Sequence, residues 1–350
     1  MRIVWLVNNI NQVGGIEQVV CGLSQYFSCE LDHQVEIISI NSAEGRPFFP
    51  LHESVTVRHC GLHWRDQTPK KRRQIIRGIL PGLNADILLT CHGGISTEVL
   101  LYKHAFRGKV VVTQHSACDS FSWKWRLANI LLFRFADAFV VLTKADQRFY
   151  RKALCRATVI PNAMLSAFSG CSDLKNPMLV AAGRLTEIKG FDQLIDAFAM
   201  IAPAHPEWKL CICGDGELMD TLKQQADSHG LSDRILFPGF VSITDRMRSA
   251  GGFVLSSRSE GFPLVLLEAL THGLPVVAYE LPAVKEICGS RGVLTAACGD
   301  TAALAEKMDQ LLSSEQLRNR LSEEAIAVSQ QYTVAAVAEK WMDLFRQLLQ

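Results

Sequence analysis

The feature that most constrains the fold is a series of short, continuously apolar segments separated by helical stretches. Residues 3–7, 35–40, 86–90, 109–113 and 138–142 read as strands, and a shorter one at 158–160 leads into Pro161 and Asn162. Gly14-Gly15 follows the first strand and precedes a helical stretch over 16–27, while His92 and His115 follow the third and fourth strands. Strands that are apolar throughout need cover on both faces, which predicts a parallel sheet with helices above and below it. Residues 163–177 then carry Ser, Gly, Asn and Pro with no helical or strand period, the composition of a linker.

Beyond the linker the alternation restarts. Strands are expected at 178–182, 209–213, 235–238, 252–256, 275–278 and 292–294, with helices at 191–201, 220–229, 264–272, 301–312 and 315–332 and an amphipathic helix at 334–349. The expected fold class is therefore α/β, with two doubly wound, Rossmann-like domains at 1–165 and 166–350 facing each other across a cleft. The last helix is free to pack back on the first domain. Ligands of such sheets bind outside the carboxyl ends of the strands.

A chain of 350 residues has room for two such cores. Its charge is divided unevenly: residues 1–170 hold 20 Lys and Arg against 12 Asp and Glu, and the remainder 16 against 23. Either the first half meets something anionic, or the two surfaces have merely drifted apart. The 11 Cys are scattered without a paired CxxC set, which suits a reducing compartment and offers no zinc site. The amino terminus lacks the layout of a signal peptide, and no apolar run is long enough to span a bilayer. The expected location is the cytoplasm, with peripheral attachment to the inner face of the plasma membrane.

The densest chemistry lies in SEGFPLVLLEALTHGLPVVA at 259–278. Glu260 follows a strand, and Pro263 suits a first helical position, where its missing N–H costs nothing. Gly261 and Phe262 then stand at a helix entrance, whose free N–H groups favour an anion. Glu268 falls about 7.5 Å along the helix axis. Because it interrupts an apolar run, a solvated-face reading fits it poorly. Two carboxylates so spaced can flank one elongated, hydroxyl-bearing ligand.

In VAAGRLTEIKGFDQLIDAF at 180–198 a strand runs into Arg184, and Lys189-Gly190 opens a helix. Arg can grip a diphosphate bidentately and Lys acts as a point charge. The competing reading is an exposed basic turn, with Glu187 paired to one of the two cations. CICGDGE at 211–217 brings Gly214 and Asp215 to a strand end, where glycine lets a backbone approach a ring or ribose closely. It is not the GxGxxG dinucleotide fingerprint.

Together these segments resemble the family-four retaining glycosyltransferases of the GT-B fold, from Gly14-Gly15 to about Tyr332. The resemblance implies that Glu260 contacts donor-sugar hydroxyls, that Glu268 holds the ribose diol, and that Arg184 and Lys189 bind the diphosphate. It implies that Gly214–Glu217 forms the nucleotide-side loop and that the backbone of Phe240-Val241 reads the base. Gly14-Gly15 matches the phosphate-side loop of the acceptor domain, and His115 a histidine near the transferred sugar. Pro263 and Ser116 depart from the Gly and Asp that many members carry there.

The implied reaction is transfer of a hexose or N-acetylhexosamine from a nucleotide sugar, with UDP the expected carrier, to a lipid-linked or cell-surface saccharide. No Asp-x-Asp motif appears, so no metal or other cofactor is expected. Arg184, Lys189 and the helix entrance would neutralise the leaving group. The basic cluster KKRRQIIR at 70–77 and the aromatic, cationic stretch at 121–135 fit an anionic membrane surface, although the second also reads as an ordinary core helix. Nucleic acid is not an expected partner. A sugar-nucleotide epimerase of the same architecture and a non-catalytic saccharide-binding protein remain as alternatives. A nicotinamide enzyme is disfavoured for want of the fingerprint.

Overall fold

The computed structural model describes residues 1–116, 127, 130–153, 155–164 and 170–350. The chain divides into two compact units, Met1–Leu165 with Thr333–Gln350, and Ser166–Tyr332. The last segment, counted with the second domain from the sequence, thus belongs to the first unit.

The first unit is built on seven strands: β1 (Arg2–Val7), β2 (Gln34–Ser39), β3 (Val55–His59), β4 (Ile87–Thr90), β5 (Lys109–Gln114), β6 (Ala138–Val141) and β7 (Thr158–Val159). All pair in parallel, in the order β3-β2-β1-β4-β5-β6-β7. The order reverses between β1 and β4, so right-handed crossovers place helices on opposite faces on either side of that point. β1 is central and buried from Ile3 to Val7. β3 was not anticipated; it is an edge strand whose burial alternates along VTVRH, too short and one-sided to stand out as an apolar run. The helices following these strands are α1 (Gly15–Cys29), α2 (Pro69–Ile79), α3 (Gly93–Leu101) and α4 (Lys144–Lys152).

The second unit has six parallel strands, β8 (Met178–Ala182), β9 (Lys209–Cys213), β10 (Ile235–Gly239), β11 (Gly252–Leu255), β12 (Val276–Tyr279) and β13 (Val293–Ala296). Their order is β10-β9-β8-β11-β12-β13, with its reversal between β8 and β11. Helices α5 (Phe191–Ile201), α6 (Met219–Ser228), α7 (Ile243–Arg248), α8 (Leu264–Thr271), α9 (Pro282–Cys288), α10 (Thr301–Ser313) and α11 (Glu315–Ser329) accompany them. A final helix, α12 (Val334–Leu349), returns to the first unit, where Met164 and Thr333 form a parallel bridge.

Alternate residues of the first sheet face opposite layers. Val4, Leu6, Ile38, Leu88, Val110 and Phe139 join one core with Ile76 of α2, Val99 of α3 and Tyr150 of α4. Trp5, pointing the other way, stacks edge-on with Trp341 of α12 at 6.3 Å between ring centroids, and Phe27 of α1 meets Phe345 at 5.9 Å. Among the described residues no helix is long and apolar enough to cross a membrane. Trp341 is 4% exposed, so Trp341→Ala is expected to destabilise the first unit by about 3–5 kcal/mol. Equilibrium denaturation, followed through the tryptophans of that unit, measures the loss.

Candidate functional site

In the second unit the loops leaving β8 and β11 meet where the strand order reverses, the position at which a doubly wound sheet opens a crevice. Lys189 ends a 3-10 turn over Glu187–Lys189, and Gly190 follows with φ 63°. That left-handed conformation favours glycine, and a Cβ there would overlap the Ser256 carbonyl oxygen. With the chain so pinned, the Lys189 ammonium reaches Glu260 Oε1 at 2.7 Å. Ser257 Oγ donates to the same oxygen at 2.6 Å. Glu260 Oε2 makes no hydrogen bond with any described residue and stays open to a ligand. Lys189 therefore pairs with Glu260 and not with Glu187.

Three residues overlooked in the sequence, Ser257 together with Ser256 and Arg258, hold this arrangement. Ser256 Oγ donates to the Lys189 carbonyl at 3.0 Å. The Arg258 guanidinium grips Asp192 through two bonds, of 3.0 and 2.6 Å, and also donates to the Glu187 carbonyl. Their only signal was position, in the loop between a strand and Glu260. Arg184 is exposed, and its guanidinium pairs with no described residue.

Gly214, at φ 138°, is glycine because a Cβ would overlap the Gly183 carbonyl oxygen. The close approach expected of it is thus made to another backbone, which clamps the loop after β9 to the loop after β8. Gly183 N–H donates to the Cys213 carbonyl at 3.0 Å and Leu185 N–H to that of Asp215 at 2.9 Å. Asp215 is exposed, and Oδ1 accepts from Gly216 N–H at 2.8 Å. Phe240, just past β10, is 63% exposed, with half-buried Val241 beside it.

The entrance of α8 differs from expectation in one respect. Pro263, with ψ 103°, is the N-cap rather than the first helical residue, which is Leu264. The N–H groups of Leu264 and Val265 find no acceptor among the described residues, leaving two donors at the helix start. The Phe262 side chain is buried against Tyr332, 5.8 Å between centroids, so only its backbone and that of half-buried Gly261 are available there. Half-buried Glu268 lies on α8. No group of three His, Cys, Asp or Glu able to hold a metal ion occurs among the described residues.

The first unit has a cavity of about 300 Å³ at the carboxyl ends of its central strands, lined in part by Asn8, Trp64, His92, His115 and Phe133. Thr113 Oγ1 donates to the Thr90 carbonyl at 3.2 Å and lies 3.0 Å from His115 Nε2. His115 Nδ1 is buried. Burial, then the neighbouring His92, push the His115 pKa down to about 4, with Asn162 opposing them. Gly14 caps α1, and a Cβ on it would overlap the buried carboxylate of Glu17, whose pKa is raised by burial. Gly15 opens α1. Glu17 carried no sequence signal beyond its place three residues after a glycine cap.

Two family models match the chain. Residues 13–164 match Glycosyltransferase Family 4, and residues 167–328 match Glycosyl transferases group 1. The chain is 28% identical to "Amylovoran biosynthesis glycosyltransferase AmsD" of Erwinia amylovora, over 98% of its own length and 99% of the relative's. It is 24% identical, over 99% of each chain, to the "GalNAc-alpha-(1->4)-GalNAc-alpha-(1->3)-diNAcBac-PP-undecaprenol alpha-1,4-N-acetyl-D-galactosaminyltransferase" of Campylobacter jejuni. Among solved structures, HepE of Anabaena in complex with UDP superposes with a TM-score of 0.76 at 20% identity, covering 99% of this chain and 100% of that one.

The neutral state of His115 has a measurable consequence. Its folded pKa lies below the unfolded value, so the unfolded chain takes up the proton first as pH falls. The stability His115 contributes is complete above about pH 6.5 and lost progressively down to pH 4, by roughly 3 kcal/mol. His115→Gln is expected to flatten denaturation free energy against pH in that window. An unchanged slope would show that His115 is not the group responsible.

Proposed function

The chain belongs to the group 1, family-four glycosyltransferases and has their GT-B fold, and we propose that it moves a hexose or N-acetylhexosamine, with retained anomeric configuration, from a UDP-sugar to a saccharide hydroxyl. The observation that carries this reading is the Lys189–Glu260 pair at the strand-order reversal of the second unit. A fixed cation stands beside a carboxylate with one free oxygen, as a diphosphate joined to a sugar requires.

As the bond from anomeric carbon to phosphate breaks, negative charge grows on the departing diphosphate. Lys189, the unpaired Arg184 and the free N–H groups at the start of α8 meet that charge as it develops. Glu260 Oε2 accepts a donor-sugar hydroxyl and Glu268 the ribose diol. Gly214, Asp215 and the backbone of Phe240 and Val241 border the nucleoside, with Gly261 and Phe262 at the sugar end. The acceptor oxygen bonds to the anomeric carbon on the face the phosphate leaves, and its proton passes to the phosphate oxygen. In the first unit, Gly14-Gly15 and His115 are the residues this reading assigns to the acceptor side and the transferred sugar. No cofactor or metal has a part in this reading.

UDP is favoured because HepE was solved with it. A lipid-linked acceptor is favoured by the Campylobacter relative, whose name includes an undecaprenol diphosphate. Such an acceptor would bring the protein to the inner face of the plasma membrane as a peripheral enzyme.

Glu260→Gln and Lys189→Ala are each expected to lower transfer at least about 100-fold while circular dichroism stays unchanged. Full activity in either variant overturns the assignment. In a thermal-shift comparison of UDP-, GDP- and ADP-sugars, a UDP-sugar is expected to give the largest rise in Tm, and a larger rise with another carrier would replace UDP.

A further inference from the structure

The two helical layers of the first sheet differ sharply in charge. α2, α3 and α4 hold nine Lys and Arg against two acidic residues, Glu98, which is buried and paired with Arg73 at 3.5 Å, and Asp146. Asp146 is buried, and its carboxylate accepts from Thr143 Oγ1 at 2.6 Å. The opposite layer, α1 and α12, carries three acidic and two basic residues. The basic excess of the first half is therefore not spread over its surface. It sits on the layer that covers the core shared by Ile76, Val99, Phe133 and Tyr150. On it Lys70, Lys71, Arg77, Arg148, Arg151 and Lys152 are exposed, and none pairs with a described residue.

The same layer exposes apolar side chains four residues apart. Leu127, Leu131 and Phe135 are 50%, 48% and 61% exposed, although Ile130, Leu132 and Phe133 between them already face the core. Of the described residues here, Ile130, Leu132 and Phe133 pack inward while Leu127, Leu131 and Phe135 face outward. Lys103 fixes its end, donating to the Phe135 carbonyl at 3.0 Å and pairing with Asp137 at 2.8 Å. Of the stretch at 121–135 read from the sequence as membrane-facing, residues 121–126, 128 and 129 lie outside the described residues. The charge of α4 adds a second basic helix that the sequence reading did not include.

A soluble polyanion such as a nucleic acid would use the cations and leave the leucines in water. An anionic lipid surface uses both, the cations at the headgroups and the apolar side chains at the acyl boundary. We infer that the layer formed by α2, α4, Leu127 and residues 130–135 docks on anionic lipid. The inference deepens the lipid-linked-acceptor reading and rests on it for its purpose.

The test is co-sedimentation of the full chain with vesicles of phosphatidylcholine, with and without phosphatidylglycerol, in the absence of any sugar nucleotide. Phosphatidylglycerol is expected to be required for capture. Reversing three cations of α4, as R148E/R151E/K152E, should lower partition about 100-fold, and L131S/F135S at least about tenfold. K340E/R346E on the opposite layer should change nothing. Equal partition onto both vesicle types, or capture insensitive to both α4 and leucine variants, overturns the proposal. So does capture of RNA in preference to vesicles. If UDP produces no thermal shift while phosphatidylglycerol vesicles still capture the protein, the donor reading falls and the docking surface stands.

Discussion

The bond between Lys189 and Glu260 joins residues 71 apart in sequence, and it exists because two backbones are held in register where neighbouring strands diverge. The turn before α5 is fixed to the loop after β11 at several points. The Glu187 and Lys189 carbonyls accept from Arg258 and Ser256 side chains, and the Ile188 carbonyl accepts from Arg258 N–H at 2.8 Å. Carbonyls that would otherwise need water are thus satisfied by the loop carrying the carboxylate. Gly190 lets the chain turn at the one position where a side chain would strike Ser256. Cation and carboxylate are consequently set before any ligand arrives, the condition under which fixed charges lower a barrier rather than reorganise.

The first unit answers the same topology with different chemistry. At its strand-order reversal the polar groups are mostly uncharged: Thr90 Oγ1 lies 2.8 Å from Ser96 Oγ, Ser96 Oγ donates to the His92 carbonyl, and Tyr150 OH donates to Gln114 Oε1 at 2.6 Å. Burial keeps His115 neutral and pushes the Cys91 thiol up to about 12. Such a lining exchanges hydrogen bonds with hydroxyls and has little to offer a phosphate. The two strand-order reversals thus carry different chemistry, a fixed charge pair in the second unit and a neutral, hydrogen-bonding cavity in the first.

What could be read from the sequence follows physical lines. Strands buried on both faces, such as β1, β5 and β9, announced themselves as apolar runs, and the glycine and proline breaks set their order. β3 and the short helices α3, α4, α7 and α9 did not, because each gives periodicity too few residues to register, and α3 is buried around most of its circumference rather than along one stripe. Lys189 and Glu260 stood out by residue type and position, but their contact needed the strand order. Ser257 and Arg258 act by holding neighbours, a role no local pattern encodes. Pro263 shows the limit of cap rules: φ −73° suits either the N-cap or the first helical position, and only ψ separates them. Gly214 was recognised as a close-approach site, but what approaches it is Gly183.

The return of α12 to the first unit bears on the order in which the molecule is made. Trp5 is synthesised before the whole of the second unit, yet the side chain that covers it, Trp341, is synthesised after it. Throughout synthesis of the second unit, the first presents an uncovered strip of Trp5 and Phe27. Contacts spanning so much of the chain close slowly, and an open apolar strip is a site for misassembly. The second unit, continuous from Ser166 to Tyr332, has every one of its strands in hand before α12 is translated. The chain therefore finishes its second core before its first.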